Sequence, residues 1–153
     1  MFSAHTWHVA VRLVHVGAAA VVFGGLALVT LLLLQRRRAD DATPLLGVVE
    51  LFERVAWLAL GVIVMTGVGN AGAIGRALPG PSSVWGGRFA VKLAAVLLLL
   101  LLSLVRSAAV THAAARAPVA LAAEAVNPLL RLYGLSVTLT GVILGLAVFL
   151  AHG

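Results

Sequence analysis

The residues best suited to chemistry lie near the start of the chain. His5, His8, Arg12 and His15 recur at a spacing that places them within an arc of about 80° on one helix face. Imidazole nitrogen is a common ligand for copper, zinc and haem iron, and polar groups that enter a bilayer are costly enough to indicate function. We call these four residues the histidine stripe, and it predicts a metal or haem site.

A copper ion is the first ligand that fits the stripe. His5 and His8 are close enough in a helix to chelate one ion together, and His152, near the other end of the chain, is a third candidate. His15 is a further candidate ligand, but it lies about 10 Å from His8 along the helix axis, so the two cannot both reach one ion without distortion.

A single b-type haem is the alternative. His15 or His8 would be one axial ligand, and Arg12, Arg88 or Lys92 would pair with the propionates. Lys92 stands out because it lies about a turn and a half inside an apolar segment. No nucleophile with a base, nucleotide-binding glycine pattern or H-E-x-x-H motif is present, so catalytic residues stay unassigned and the sequence leaves open whether the protein is an enzyme.

The elements that must position these residues are apolar helices. Of the 153 residues, 62% are hydrophobic and only 10% are charged, and the mean hydropathy is +1.12. A soluble domain is about half apolar and a quarter charged. The composition therefore predicts an all-α polytopic membrane protein, a four-helix transmembrane bundle that forms one domain over 1–153, with spans near 9–34, 45–68, 86–108 and 129–151.

The polar residues outside the stripe are predicted to lie at helix ends or in loops. The Gly- and Pro-rich segment 69–83 is predicted as a loop, and Asn127-Pro128 as the start of the last helix. Arg106 is placed where the third helix leaves the hydrocarbon. Glu50, Glu53 and Arg54 are interpreted as an interfacial group with an ion pair between Glu50 and Arg54.

The net charge of +6 is interpreted as a signal of membrane orientation. Lys and Arg are more frequent beside the segments between spans one and two and between spans three and four, which predicts a bacterial plasma membrane protein with both termini outside. No basic, aromatic-interleaved surface indicates nucleic acid binding. The chain has no cysteine, which excludes disulfides and thiolate metal sites.

Three segments resemble the copper-resistance D (CopD-like) membrane domain and the related HemJ-type haem-binding membrane proteins. They are the histidine-then-Gly-Gly helix His8–Gly25, the segments Phe52–Ala56 and Val64–Gly67, and the glycine-then-Lys-Leu segment Trp85–Leu93. In the HemJ-type proteins a first-helix histidine and the lysine of the later helix form the functional pair. The resemblance implies that His15 and Lys92, which occupy the matching positions, form this functional pair here.

Three functional hypotheses follow. The first is a CopD-like protein that handles copper at its outer face through His5, His8 and His15, with Arg12 and Lys92 as tuning groups and a periplasmic metal carrier as partner. The second is a haem b protein, either an oxidase or an electron carrier. The third is an accessory subunit of a larger membrane complex. A homodimer packed through the G-x-x-x-G pattern Gly141–Gly145 is also left open.

Overall fold

The computed structural model describes residues 4–38, 45–74, 80, 82–116 and 123–152, and all of these except 80, 82 and 83 lie in four α-helices. The helices are α1 (Ala4–Arg38), α2 (Leu45–Ile74), α3 (Val84–Arg116) and α4 (Ala123–His152). The described part of the chain contains no strand, which confirms the all-α prediction.

Two of the predicted boundaries are wrong. Helix α2 continues to Ile74, inside the segment predicted as a loop, and helix α4 begins at Ala123, so Pro128 lies within it. Residues 75–79 and 81 of the predicted loop lie outside the described residues. Helix α3 begins just after Ser83, whose Oγ accepts the backbone N–H of Gly86 at 3.0 Å. Ser83 is therefore the N-cap of α3.

Three helices are long and apolar enough to cross a membrane. The stretches that qualify are Thr6–Arg37, Val84–Arg116 and Ala125–Leu150, each longer than the roughly 20 residues that span a hydrocarbon core. These helices mark the chain as an integral membrane protein. Helix α2 is not among the three, and it carries Glu50, Glu53 and Arg54 within its first ten residues.

The helices pack as a ring in which each contacts two others. Helix α1 packs on α2 and α4, and α3 packs extensively on α4 but only sparingly on α2. On α1 the core residues follow helical spacing, so that they form one stripe down the helix. This stripe consists of Val22, Leu26, Val29 and Leu33, all buried, and His15 continues it one heptad earlier.

Candidate functional site

A buried polar group of the bundle is centred on the carboxylate of Glu53 on α2. Arg106 of α3 donates from Nε to its Oε1 at 2.6 Å and from Nη2 to its Oε2 at 3.3 Å. Tyr133 of α4 donates its hydroxyl to Oε1, and Ser107 donates to Oε2. Each carboxylate oxygen therefore accepts two hydrogen bonds, as an ionised carboxylate requires.

Further donors extend this arrangement. Arg106 Nη1 donates to Ser136 Oγ at 3.1 Å, and Trp57 Nε1 donates to Ser107 Oγ at 2.9 Å. The Arg106 guanidinium also lies over the Tyr133 ring, 5.0 Å from its centroid, within the range of cation–π attraction. We call this set the Glu53 network, and its members are Glu53, Trp57, Arg106, Ser107, Tyr133 and Ser136.

Helix α1 contributes to the Glu53 network by leaving room for an aromatic ring. The Phe52 ring lies 6.2 Å from that of Tyr133 and occupies the space beside Gly25. A Cβ atom added at Gly25 would lie 2.1 Å from Phe52 Cε2, whereas one added at the neighbouring Gly24 would meet nothing within 4 Å. Gly25 therefore has to be glycine for Phe52 to pack against the network.

The burial of Glu53 and Arg106 against each other is not predicted by the sequence. Glu53 is 6% exposed and Arg106 is 1% exposed, so both side chains lie inside the bundle, and Glu53 pairs with Arg106. The physical reason is helical phase. Arg106 shares the buried face of α3 with Leu99, Ser103 and Val110. This helical spacing is the feature of the sequence that indicates its burial. The roles of Tyr133 and Ser136 were also missed.

A second polar group surrounds His15, where α1 faces α2. His15 Nδ1 lies 2.7 Å from Thr66 Oγ1, and the Thr66 hydroxyl donates to the Val62 carbonyl at 2.6 Å. A hydroxyl has one hydrogen and a carbonyl can only accept, so Nδ1 must donate to Thr66. In the neutral ring the lone pair is then on Nε2, the nitrogen that is left to bind a ligand.

Lys92 and Gly67 complete this second group. Lys92 is half-buried on the interior face of α3 and lies within electrostatic range of His15. A Cβ atom at Gly67 would lie 3.5 Å from His15 Cε1, so the imidazole packs in van der Waals range of this glycine. We call His15, Thr66, Gly67 and Lys92 the His15 cluster. It can hold one ligand through a single imidazole and can neutralise an acidic group.

The described residues among the other predicted site residues make no hydrogen bond or ion pair with this cluster. Arg12 and Arg88 are exposed, and His8 is partly buried on α1. The side chains of His5 and His152 lie outside the described residues. Among the side chains that the structure describes, no group of three or more histidine or acidic residues is placed to hold a metal ion.

Comparisons with known proteins add no relative. No protein-family model matches the chain, and searches of curated proteins and of solved structures find no match. The resemblance to the CopD-like and HemJ-type proteins therefore stays a prediction from the sequence. The candidate site depends on the geometry of the His15 cluster.

Proposed function

We propose that the chain is a four-span integral membrane protein that binds one b-type haem at the His15 cluster. The observation that supports this most directly is the hydrogen bond from His15 Nδ1 to Thr66, which leaves Nε2 to bind iron. Metal-binding histidines usually donate their other ring N–H to a fixed acceptor, which sets the tautomer and the ring orientation.

The residues of the cluster suit haem in chemistry as well as in geometry. In this proposal His15 would hold the haem iron, Thr66 would orient the imidazole, and the Lys92 ammonium would pair with a propionate. Arg88, one turn before Lys92 on α3, is available for the second propionate at the exposed edge. Bound haem would supply reversible one-electron chemistry, so the protein would be an electron carrier or an oxidase.

The proposed membrane arrangement includes α2 as the fourth span. The charge of Glu53 on α2 is paired with Arg106, which lowers the cost of placing this helix in hydrocarbon. The distribution of Lys and Arg along the chain supports the proposal that both termini lie outside a bacterial plasma membrane.

The test begins with the protein purified in mild detergent. We expect the absorption spectrum to show a Soret band, and to show α and β bands after reduction with dithionite. Elemental analysis should give about one iron atom per chain. His15→Ala should remove the Soret band while the helical circular dichroism spectrum is kept. His8→Ala is the matched control on the same helix and should keep the band. A Soret band that survives His15→Ala would overturn the assignment of the axial ligand.

The same preparation tests copper, which is the second proposal. Its supporting observation is that His8 is partly buried on the helix that also carries His15, so both imidazoles are available at this end of the bundle. Stoichiometric copper without a Soret band, reduced by combined His5→Ala and His8→Ala, would favour copper handling. Neither cofactor, together with co-purifying membrane proteins, would favour an accessory subunit.

A further inference from the structure

Helices α2 and α3 are joined at one level of the bundle. In the described part of the chain, three side chains donate the hydrogen bonds between them: Arg106 and Ser107 of α3 donate to Glu53 of α2, and Trp57 of α2 donates to Ser107. These two helices also have the least extensive contact of the neighbouring pairs. Among the described residues, the Glu53 network is therefore the level at which hydrogen bonds fix α3 against α2.

On the face of α2 that meets α3, the side chains become more exposed from the level of Glu53 to the level of the His15 cluster. Leu46, Glu53 and Val64 share one face, because they are separated by seven and eleven residues. Leu46 is 2% exposed and Glu53 is 6% exposed, but Val64 is 42% exposed. Val68, one turn further on, is exposed as well. Among the described side chains, Val64 and Val68 are thus exposed where α2 faces Lys92 of α3, and we call the space between them the α2–α3 cleft.

The charge at the α2–α3 cleft is positive. Lys92 is half-buried there, within electrostatic range of His15, and Arg88 follows on the next turn toward the start of α3. The acidic side chains that the structure describes, Glu50 and Glu53, lie at the other end of α2, and Glu53 is about 20 Å from Thr66 along the helix axis. An ammonium group that is half removed from water favours an anionic ligand.

We propose that the α2–α3 cleft admits, laterally from the bilayer, an amphiphile that carries a carboxylate, and that its acid group pairs with Lys92. The exposed valines offer an apolar surface for the body of the ligand. This inference deepens the proposed function and rests on it, because haem is a flat apolar molecule with two propionates. The cleft gives such a ligand a route that does not pass through water.

The test uses a single reactive thiol, since the chain has no cysteine of its own. Val64→Cys is placed in the full chain in phosphatidylcholine vesicles, and its reaction rate with a membrane-permeant maleimide is measured. Oleate should slow this reaction several-fold, and oleyl alcohol, which lacks the charge, should leave it unchanged. Leu58→Cys is the matched control, because Leu58 is exposed on another face of the same helix.

Two variants show whether Lys92 is the partner of the acid group. In the Val64→Cys chain, Lys92→Gln should abolish protection by oleate, and Lys92→Arg, which keeps the charge, should retain it. Equal protection of Cys at 58 and 64, no protection at either, or protection that survives Lys92→Gln would each overturn the inference.

The oleate experiment and the haem experiment can fail independently of each other. Protection by oleate in a protein without a Soret band would support the cleft and contradict haem binding. A Soret band without protection at position 64 would support haem binding and contradict lateral entry through this cleft.

Discussion

The Glu53 network and the His15 cluster are two polar groups in one apolar bundle, and they differ in how completely their atoms are paired. Both oxygens of Glu53 accept two hydrogen bonds each, and the opposite charge of Arg106 is in direct contact. The His15 cluster combines a half-buried imidazole, which bonds Thr66, with a half-buried ammonium group. The carboxylate of the Glu53 network has no oxygen free to bind a ligand, whereas the imidazole and the ammonium group of the His15 cluster can still bind one.

The burial of each group fits this difference. A fully satisfied ion pair can lie in a low-dielectric interior, where a partly satisfied one would be costly. Between the two groups lie apolar side chains such as Val22, Leu60 and Leu99, all buried. The comparison indicates that the Glu53 network specifies which helices meet, whereas the His15 cluster is where a partner molecule is expected. Substitutions should separate these two roles.

The largest effect is expected when the ion pair loses one member. Glu53→Gln leaves the buried Arg106 without its counter-charge, and we expect a loss of about 3–5 kcal/mol in the free energy of unfolding. The measurement is denaturant unfolding in detergent, followed by circular dichroism. Glu50→Gln, on the same helix but partly exposed, is the control and should cost far less. The double change Glu53→Leu with Arg106→Met should cost less than Glu53→Gln, and a larger, additive loss would contradict the argument.

The second effect concerns the space that α1 leaves for Phe52. Gly25→Ala places a methyl group where the ring lies, so we expect a loss of about 3 kcal/mol through overpacking. Gly24→Ala is the matched control and should be neutral or slightly stabilising, because alanine favours helix and nothing lies within 4 Å. Unfolding of both variants under the same conditions measures the difference, and equal stability would show that Phe52 packs elsewhere.

A smaller effect separates two buried serines. Ser136 accepts a hydrogen bond from Arg106, and Ser103 Oγ is buried without a partner in the described part of the chain. We expect Ser136→Ala to cost about 1.5 kcal/mol, because the lost acceptor served a charged donor. Ser103→Ala should be neutral or stabilising, since it removes an unpaired hydroxyl. The same unfolding assay checks both, and a loss at Ser103 equal to that at Ser136 would contradict this assignment.

The smallest effect on stability is expected in the His15 cluster, where the effect on binding should be large instead. Thr66→Val removes the acceptor of His15 Nδ1, and interhelical hydrogen bonds of this kind contribute only about 0.6 kcal/mol in membrane proteins. Haem affinity should fall about 10- to 100-fold, because the ring loses its fixed orientation. Thr138→Val on α4, whose hydroxyl bonds only its own helix, is the control for titrations with haem. Unchanged affinity in Thr66→Val would remove Thr66 from the site.

The sequence predicts the helices well and the buried ion pair poorly, for one physical reason. Apolar runs of about 20 residues are local signals, and they locate α1, α3 and α4 as membrane helices. The partners Glu53 and Arg106 are separated by 53 positions, so their contact depends on how the helices pack. A charge near the end of an apolar run also resembles a membrane boundary, which is why Arg106 was placed there.

The sequence indicates two members of the candidate site, and it does not indicate a further one, Thr66. Helical spacing and the resemblance of two segments indicated His15 and Lys92, and the structure places them within electrostatic range of each other. Thr66 has no role of its own in the prediction, because a threonine in a helix ordinarily bonds its own backbone. Its bond to His15 depends on the packing of α1 against α2, which no local pattern encodes. The copper ligands His5 and His152 stay predictions.

The ion pair between Glu53 and Arg106 also has a consequence for how the chain enters a membrane. Glu53 leaves the ribosome before Arg106 and Tyr133, so during synthesis α2 has a carboxylate without the donors that later satisfy it. We expect α2 to remain beside the translocon or at the lipid surface until α3 arrives. Crosslinking of stalled chains that end before or after α3 would check this order. Release of α2 into lipid before α3 emerges would contradict it.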